Sequence, residues 1–249
     1  MTKPKIDVIT LFPDMVSEIL QHGVVGRALQ AGLAQVELLN PRVYGRDDGR
    51  VDDRPYGGGP GMVMQYAPIQ ASIAACKDKS PQAKVIYLSP QGKKLDQSAI
   101  QTLASSEHLV LLCGRYEGID ERVVETCVDD EYSLGDFVIS GGELAAMVLI
   151  DAIIRTLPGA LGDELSAEQD SFAAGLLDYP HYTRPELIDG QQVPEILLSG
   201  DHDKIAAWRL QQALGRTYLR RPDLIAKYPM SEREQHLLEE FLANNSSKE

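Results

Sequence analysis

The sequence predicts an α/β protein: a parallel sheet covered by helices, followed by a small, mainly helical unit. Three observations predict it. Short apolar runs alternate with helical stretches through the first 155 residues, the pattern of successive βα units. The apolar runs end in polar or glycine-bearing stretches, where ligands of open α/β sheets gather. Around Leu157–Gly175 the composition then shifts to Gly, Pro, Ser and acidic residues before helical periodicity resumes.

Strands are expected at Ile6–Leu11, Val36–Leu39, Lys84–Leu88, Leu109–Cys113 and Phe137–Ile139, each a short apolar run. Helical patterns lie between them at Met15–Gln30, Ile69–Lys77, Asp96–Ser105 and Glu143–Thr156. Further helices are expected at Asp203–Leu214 and Ser231–Ala243, the second opening on a Ser231-x-x-Glu234 capping box. This gives a ligand-binding domain over residues 1–160, a mobile linker over 161–175 and a helical domain over 176–249.

A chain of 249 residues can bury a proper core. Asp7 interrupts the N-terminal apolar run, so no secretory signal is expected there. Glu143 and Asp151 interrupt the most apolar stretch, Phe137–Ile154, which therefore reads as a buried helix and not a membrane span. Cys76, Cys113 and Cys127 lack metal-type spacing and read as reduced core cysteines of a cytoplasmic protein. The net charge of −13 alone argues against a nucleic-acid partner. Distribution matters more than the sum: Arg42, Arg46, Arg50 and Arg54 share one loop, and Arg209, Arg216, Arg220 and Arg221 lie near Trp208 and Tyr218. Both groups also fit ordinary solvated faces.

The stretches after three of the runs are Ser89–Gly92 ("SPQG"), Gly114–Arg122 ("GRYEGIDER") and Ser140–Glu143 ("SGGE"). None matches G-x-x-x-x-G-K-[ST] or G-x-G-x-x-G, which excludes the familiar phosphate cradles. Ser140 and Glu143 also fit a capping box, the plainer reading of that glutamate. Two successive glycines there still point to a close backbone approach. Arg54–Met62 ("RPYGGGPGM") packs four glycines and two prolines into nine residues, a shaped loop. Taken by themselves, Arg155 is half of an i,i+4 pair with Asp151, and Asp170 is one carboxylate of an acidic segment.

The stretches "VDDRPYGGGPGM", "KVIYLSPQGKKLDQ", "CGRYEGIDER", "GDFVISGGEL", "DSFAAGLLDYPHYTRP" and "GRTYLRRPDL" occur in one order between Ile6 and Leu224. Together they closely resemble the bacterial tRNA (guanine-N1)-methyltransferase family, TrmD, within the SPOUT methyltransferases. The resemblance implies a sheet threaded into a deep trefoil knot and a homodimer whose active site uses both subunits. It also implies S-adenosylmethionine as methyl donor, N1 of the guanosine immediately 3′ of the tRNA anticodon as acceptor, and an association with Mg²⁺. By the same likeness the cofactor is held by Tyr87, Leu88, Ser89 and Pro90; by Gly114, Tyr116 and Glu117; and by Leu134, Gly135, Asp136, Phe137, Val138, Ile139, Gly141 and Gly142.

The resemblance assigns Asp170 as the general base for guanine N1 and Arg155 as the cation facing O6. Asp52, Gly61, Ser166 and Asp178 match positions near the target base. His181, Arg184, Arg209, Arg216, Arg220 and Arg221 are expected to grip the anticodon stem-loop. Glu117 is the first candidate for a metal ligand. Two departures from the family pattern are Ala145, where proline is common, and a short Gly45–Val51 loop. Other readings are a knotted methyltransferase acting on a ribose hydroxyl, which suits the Asp170–Arg155 pair poorly, and a non-catalytic RNA-binding module.

Overall fold

A computed structural model describes residues 3–162 and 170–246. The chain divides into two compact units, Met1–Glu164 and Leu165–Glu249.

The first unit is built on five strands: β1 (Lys5–Ile9), β2 (Gln35–Leu39), β5 (Lys84–Lys94), β6 (His108–Cys113) and β7 (Asp130–Ser133). They pair in the order β2-β1-β6-β5-β7, and every pairing is parallel. Two short strands, β3 (Asp52–Asp53) and β4 (Val63–Met64), form a separate antiparallel pair. Helices α1 (Pro13–Ser17), α2 (Gly23–Gln30), α3 (Tyr66–Lys79), α4 (Gln97–Ala104), α5 (Glu121–Cys127) and α6 (Glu143–Ile154) accompany the strands.

Parallel sheets are covered on both faces, so their strands carry near-continuous apolar runs. β6 shows the effect fully, since all of its residues are buried. Val8, Ile86, Leu109 and Leu111 meet Ala28, Leu103, Leu149 and Ile153 in one apolar cluster. Ile9, Val85, Val110 and Leu112 meet Ile69, Ile73 and Val123 in a second. Successive side chains on a strand point to opposite faces, which divides each run between the two clusters.

Three expected elements differ. β5, expected to end at Leu88, runs on to Lys94, so Ser89–Gly92 lies within the strand and not in a loop after it. Phe137–Ile139 is not a strand: it lies in the loop before α6, with Phe137 57% and Val138 85% exposed. The fifth strand is Asp130–Ser133, mostly polar and only half-buried, which pairs with β5 alone. The single helix expected over Met15–Gln30 is broken: α1 gives way to a 3₁₀ turn at Ile19–Gln21, and α2 restarts after His22.

In the second unit, the helices His202–Arg220 and Glu232–Ser246 pack through Ala213, Leu214 and Leu238, joined by Leu176. Asp201 caps the first by accepting from Lys204 N. Ser231 and Glu234 form the expected reciprocal cap: Ser231 N donates to Glu234 Oε2 at 2.8 Å, and Glu234 N to Ser231 Oγ at 3.4 Å. Tyr228 Oη also donates to Glu234. The bonds from Ser231 and then Tyr228 hold the Glu234 carboxyl below its ordinary value of 4.5. Its folded value is the lower one, so the cap contributes fully above the ordinary value and fades as pH falls through the folded one. Ser231→Ala is expected to cost about 1 kcal/mol at neutral pH and less in acid, measured by urea denaturation at both pH values.

Candidate functional site

A cavity of about 400 Å³ opens beside the middle of β5 and at the carboxyl ends of β6 and β7. Its volume falls within the roughly 300–1,000 Å³ usual for small-molecule sites. The irregular middle of β5 and the loops after β6 and β7 wall it. After the buried part of β5, the pairing with β7 shifts register between Leu88 and Lys93. At that irregularity Tyr87, Leu88, Ser89 and Pro90 line the cavity. The loop after β6 contributes Gly114, Tyr116 and Glu117, and the loop after β7 contributes Leu134, Gly135, Phe137, Val138 and Ile139. The turn before α6 closes the wall with Gly141 and Gly142. Of the residues expected at a cofactor, Asp136 alone is not on the wall. Sequence reasoning did not single out Glu121, Val124, Glu131 or Arg115, which also line it.

Backbone geometry explains the glycines of that turn. A β-carbon on Gly142 would lie 2.7 Å from Cys113 Cα and 3.1 Å from Gly114 N. One on Gly141 would overlap the Arg115 side chain. The turn thus presses directly on the end of β6, and Gly142 N donates to Gly114 O at 2.9 Å. Tyr116 takes a left-handed conformation (φ 61°) while 47% exposed. A bulky residue pays roughly 1–3 kcal/mol for such a backbone, and these outliers cluster at ligand sites.

The charged side chains on the wall are Arg115, Glu117, Glu121 and Glu131. The one cation is committed: Arg115 Nε donates to Glu143 Oε2 at 2.8 Å and Nη1 to Ser140 O at 3.1 Å. Its guanidinium also lies 4.4 Å above the Phe12 ring. Three carboxylates facing a cavity disfavour a phosphate-bearing ligand and favour one with positive charge. Burial, and then Glu131 and Glu121, push the Tyr87 phenol up to about 12. Burial likewise raises the Cys113 thiol, and the Glu143 carboxylate adds to it. Both groups are neutral at physiological pH and serve as packing.

Glu143 does not cap its helix as the Ser140-x-x-Glu143 pattern allowed. Gly142 occupies the cap position without a side-chain bond, and both Glu143 carboxylate oxygens bond elsewhere. Ala145, the departure from the family pattern, lies on the cavity wall.

The remaining expected residues fall in both units. Gly61 sits in left-handed backbone (φ 75°) against the Glu117 side chain, and Glu117 N donates to Met62 O at 2.9 Å. The shaped 54–62 loop therefore reaches the cavity loop after β6. Asp52 is 3.8 Å from Arg50, and Arg46 pairs with Asp53 at 2.6 Å, so the arginine-rich loop is partly self-neutralised. Arg155 stands at the C-terminal cap of α6. In the second unit Asp170 is half-buried at a turn that Ala173 N closes onto its carbonyl. Asp178 holds His181 at 2.8 Å. Arg209 stacks on Tyr179 at 4.8 Å, and Arg221 forks onto Asp223 at 2.8 and 2.6 Å. Arg184 and Arg220 are exposed, and Arg216 is half-buried. Ser166, together with most of the 161–175 segment's first half, lies outside the described residues.

Comparison with known proteins bears on this geometry. The family model described as tRNA (Guanine-1)-methyltransferase TrmD matches residues 4–227. The chain belongs to this family. A relative from Halorhodospira halophila (strain DSM 244 / SL1), named tRNA (guanine-N(1)-)-methyltransferase, is 57% identical over 98% of this chain and 93% of its own. Relatives of the same name from Vibrio vulnificus (strain YJ016) and Aeromonas salmonicida (strain A449) are 54% and 57% identical. The Vibrio protein aligns over 98% of both chains, the Aeromonas protein over 95% of this chain and 96% of its own. The match to the TrmD family spans the cavity loops and most of the second unit.

Gly142→Ala is expected to force the turn off β6 and weaken S-adenosylhomocysteine binding at least about tenfold, read by calorimetric titration. An unchanged affinity would mean that this turn does not shape the site.

Proposed function

We propose that this protein transfers a methyl group from S-adenosylmethionine to N1 of the guanosine immediately 3′ of the anticodon in tRNA. The observation that carries the reading is the strand-end cavity, which offers backbone groups and carboxylates where a nucleotide site would offer cations. When bound there, S-adenosylmethionine supplies an electrophilic methyl group on a positively charged sulfur. The acidic wall of Glu117, Glu121 and Glu131 suits that charge. Leu134, Phe137 and Ile139 lie where their backbone groups can read an adenine edge, and the exposed Phe137 and Tyr116 rings supply apolar surface.

Guanine N1 carries a proton at neutral pH and must lose it as the new bond forms. Asp170 accepts that proton. A carboxylate is a weak base for this task, so the charge growing on O6 needs a fixed cation, and Arg155 provides it. Asp52, Gly61, Ser166 and Asp178 flank the target base. His181, Arg184, Arg209, Arg216, Arg220 and Arg221 bind phosphates of the anticodon stem-loop; a local basic patch suffices on an acidic chain.

The finer points of architecture belong to the same proposal. The sheet end is threaded as a deep trefoil knot, and residues 161–175 form a segment that closes over the base. Two copies form a shared active site: α6 exposes Leu144 and Val148, and Asp151 and Arg155 follow at helical spacing on that face. The protein works in the cytoplasm; among the described residues no helix is long and apolar enough to cross a membrane. A magnesium ion fits less well, because among the described residues no three His, Cys, Asp or Glu side chains gather into a donor set. Glu117 is the first candidate ligand for such an ion.

Methyl transfer to tRNA transcripts carrying guanosine or adenosine 3′ of the anticodon tests the reading. Only the guanosine transcript should yield 1-methylguanosine. Asp170→Ala and Arg155→Ala should each lower kcat about 10²–10⁴-fold while leaving cofactor affinity unchanged. Transfer that ignores that base, or that survives loss of Asp170, would overturn the substrate or the base.

A further inference from the structure

Glu143 has no solvent exposure and lies outside the cavity wall, yet it joins the end of β1 to a loop that lines the cavity. Its Oε1 accepts from Thr10 Oγ1 at 2.8 Å, just past the end of β1. Its Oε2 accepts from Arg115 Nε at 2.8 Å, in the loop after β6. Thr10 is itself fully buried, and its Oγ1 receives Phe12 N at 2.9 Å. Arg115 extends the link by donating to Ser140 O at 3.1 Å and covering the Phe12 ring. Gly141, in turn, leaves the space that the Arg115 side chain fills.

Stability does not account for this pair. Desolvating two charges costs as much as their attraction returns, and apolar residues of the same volume commonly do as well. What an ion pair adds is direction. Apolar packing tolerates sliding, whereas an Nε–carboxylate bond fixes Arg115 in distance and angle. Arg115, Ser140, Gly141 and Gly142 all line the cavity. A shift of Arg115 would move the Ser140 carbonyl and the glycine turn with it.

We propose that Glu143 is a positioning residue for methyl transfer, holding the loop after β6 against the Ser140–Gly142 turn through Arg115 and thereby setting the shape of the cofactor cavity. The proposal rests on the methyltransferase reading for its reaction, though its first consequence is cofactor affinity. Glu143→Gln keeps the size and one acceptor but loses the charge. It should weaken S-adenosylhomocysteine binding and raise the KM for S-adenosylmethionine about tenfold. The kcat at saturating cofactor and the KM for tRNA should stay near wild type. Thr10→Ser, which keeps the hydroxyl, should bind like wild type, and Thr10→Val should weaken binding in the same direction as Glu143→Gln.

The double variant Arg115→Met/Glu143→Met leaves no buried charge unpaired. It should melt within a few degrees of wild type and still bind cofactor poorly, separating positioning from folding. The proposal is overturned if Glu143→Gln binds S-adenosylhomocysteine within twofold of wild type. It is equally overturned if the double variant regains wild-type affinity, or if the loss appears in kcat with cofactor KM unchanged. Failure of wild-type protein to methylate tRNA while binding cofactor would instead sink the reaction and leave the binding comparison standing.

Discussion

Both faces of the parallel sheet are buried, and this constraint shapes everything that follows. Burial of Val8, Ile86, Leu111 and their neighbours on one side, and of Ile9, Val85 and Leu112 on the other, leaves the sheet no face to offer a ligand. Only the carboxyl ends of its strands remain, where backbone must leave the ladder and find new partners. Here it does so by crowding. The β5–β7 register slips between Leu88 and Lys93, Gly142 N bonds Gly114 O, and Leu95 N bonds Ser133 O. The cavity is what remains between segments pressed together in this way, which makes its shape depend on contacts away from its own wall.

Charge supports the same view. A net charge of −13 looked unfavourable for a partner rich in phosphate. The structure places Glu117, Glu121 and Glu131 at the cavity, where negative charge suits a cationic donor. The exposed Arg184, Arg209 and Arg220 belong to the second unit. The acidic cavity wall and these exposed arginines therefore belong to different units, and a sum over the chain describes neither. The arginines of the 42–54 loop are a different case, since Asp52 and Asp53 engage two of them.

The apolar runs at β1, β5 and β6 were legible because strand segments buried on both faces carry few polar residues. The same logic misled at Phe137–Ile139 and missed Asp130–Ser133. Asp130–Ser133 is an edge strand: it has a neighbour on one side only, so polar residues cost it little. Phe137 and Val138 are apolar for another reason, because they lie in a loop that walls the cavity. Hydrophobic pattern reports burial against something, and it cannot say whether that something is a helix or a ligand. Of the glycine-bearing stretches, only Gly114–Arg122 follows a strand as expected; Ser89–Gly92 lies within β5, and Ser140–Glu143 follows a loop. Arg155 and Asp170 carry no such signal, since a helical i,i+4 pair and an acidic segment explain them equally well from sequence.

Glu143 shows where pattern reading reaches its limit. A carboxylate three residues after a serine, at the start of a helix, is what a capping box demands. The Ser231–Glu234 pair shows that the rule holds in this chain. The two sites differ in what lies nearby. Glu234 is only half-buried, and the further donors to its carboxylate, the Ser231 and Tyr228 hydroxyls, leave its bond to Ser231 N in place. Glu143 is sealed beneath Thr10 and Arg115, contributed by residues 133 and 28 positions away. A buried carboxylate must find its strongest donors. A guanidinium and a buried hydroxyl outcompete the backbone N–H that a capping box would use. Local sequence proposes the cap, and tertiary structure reassigns the carboxylate to the site.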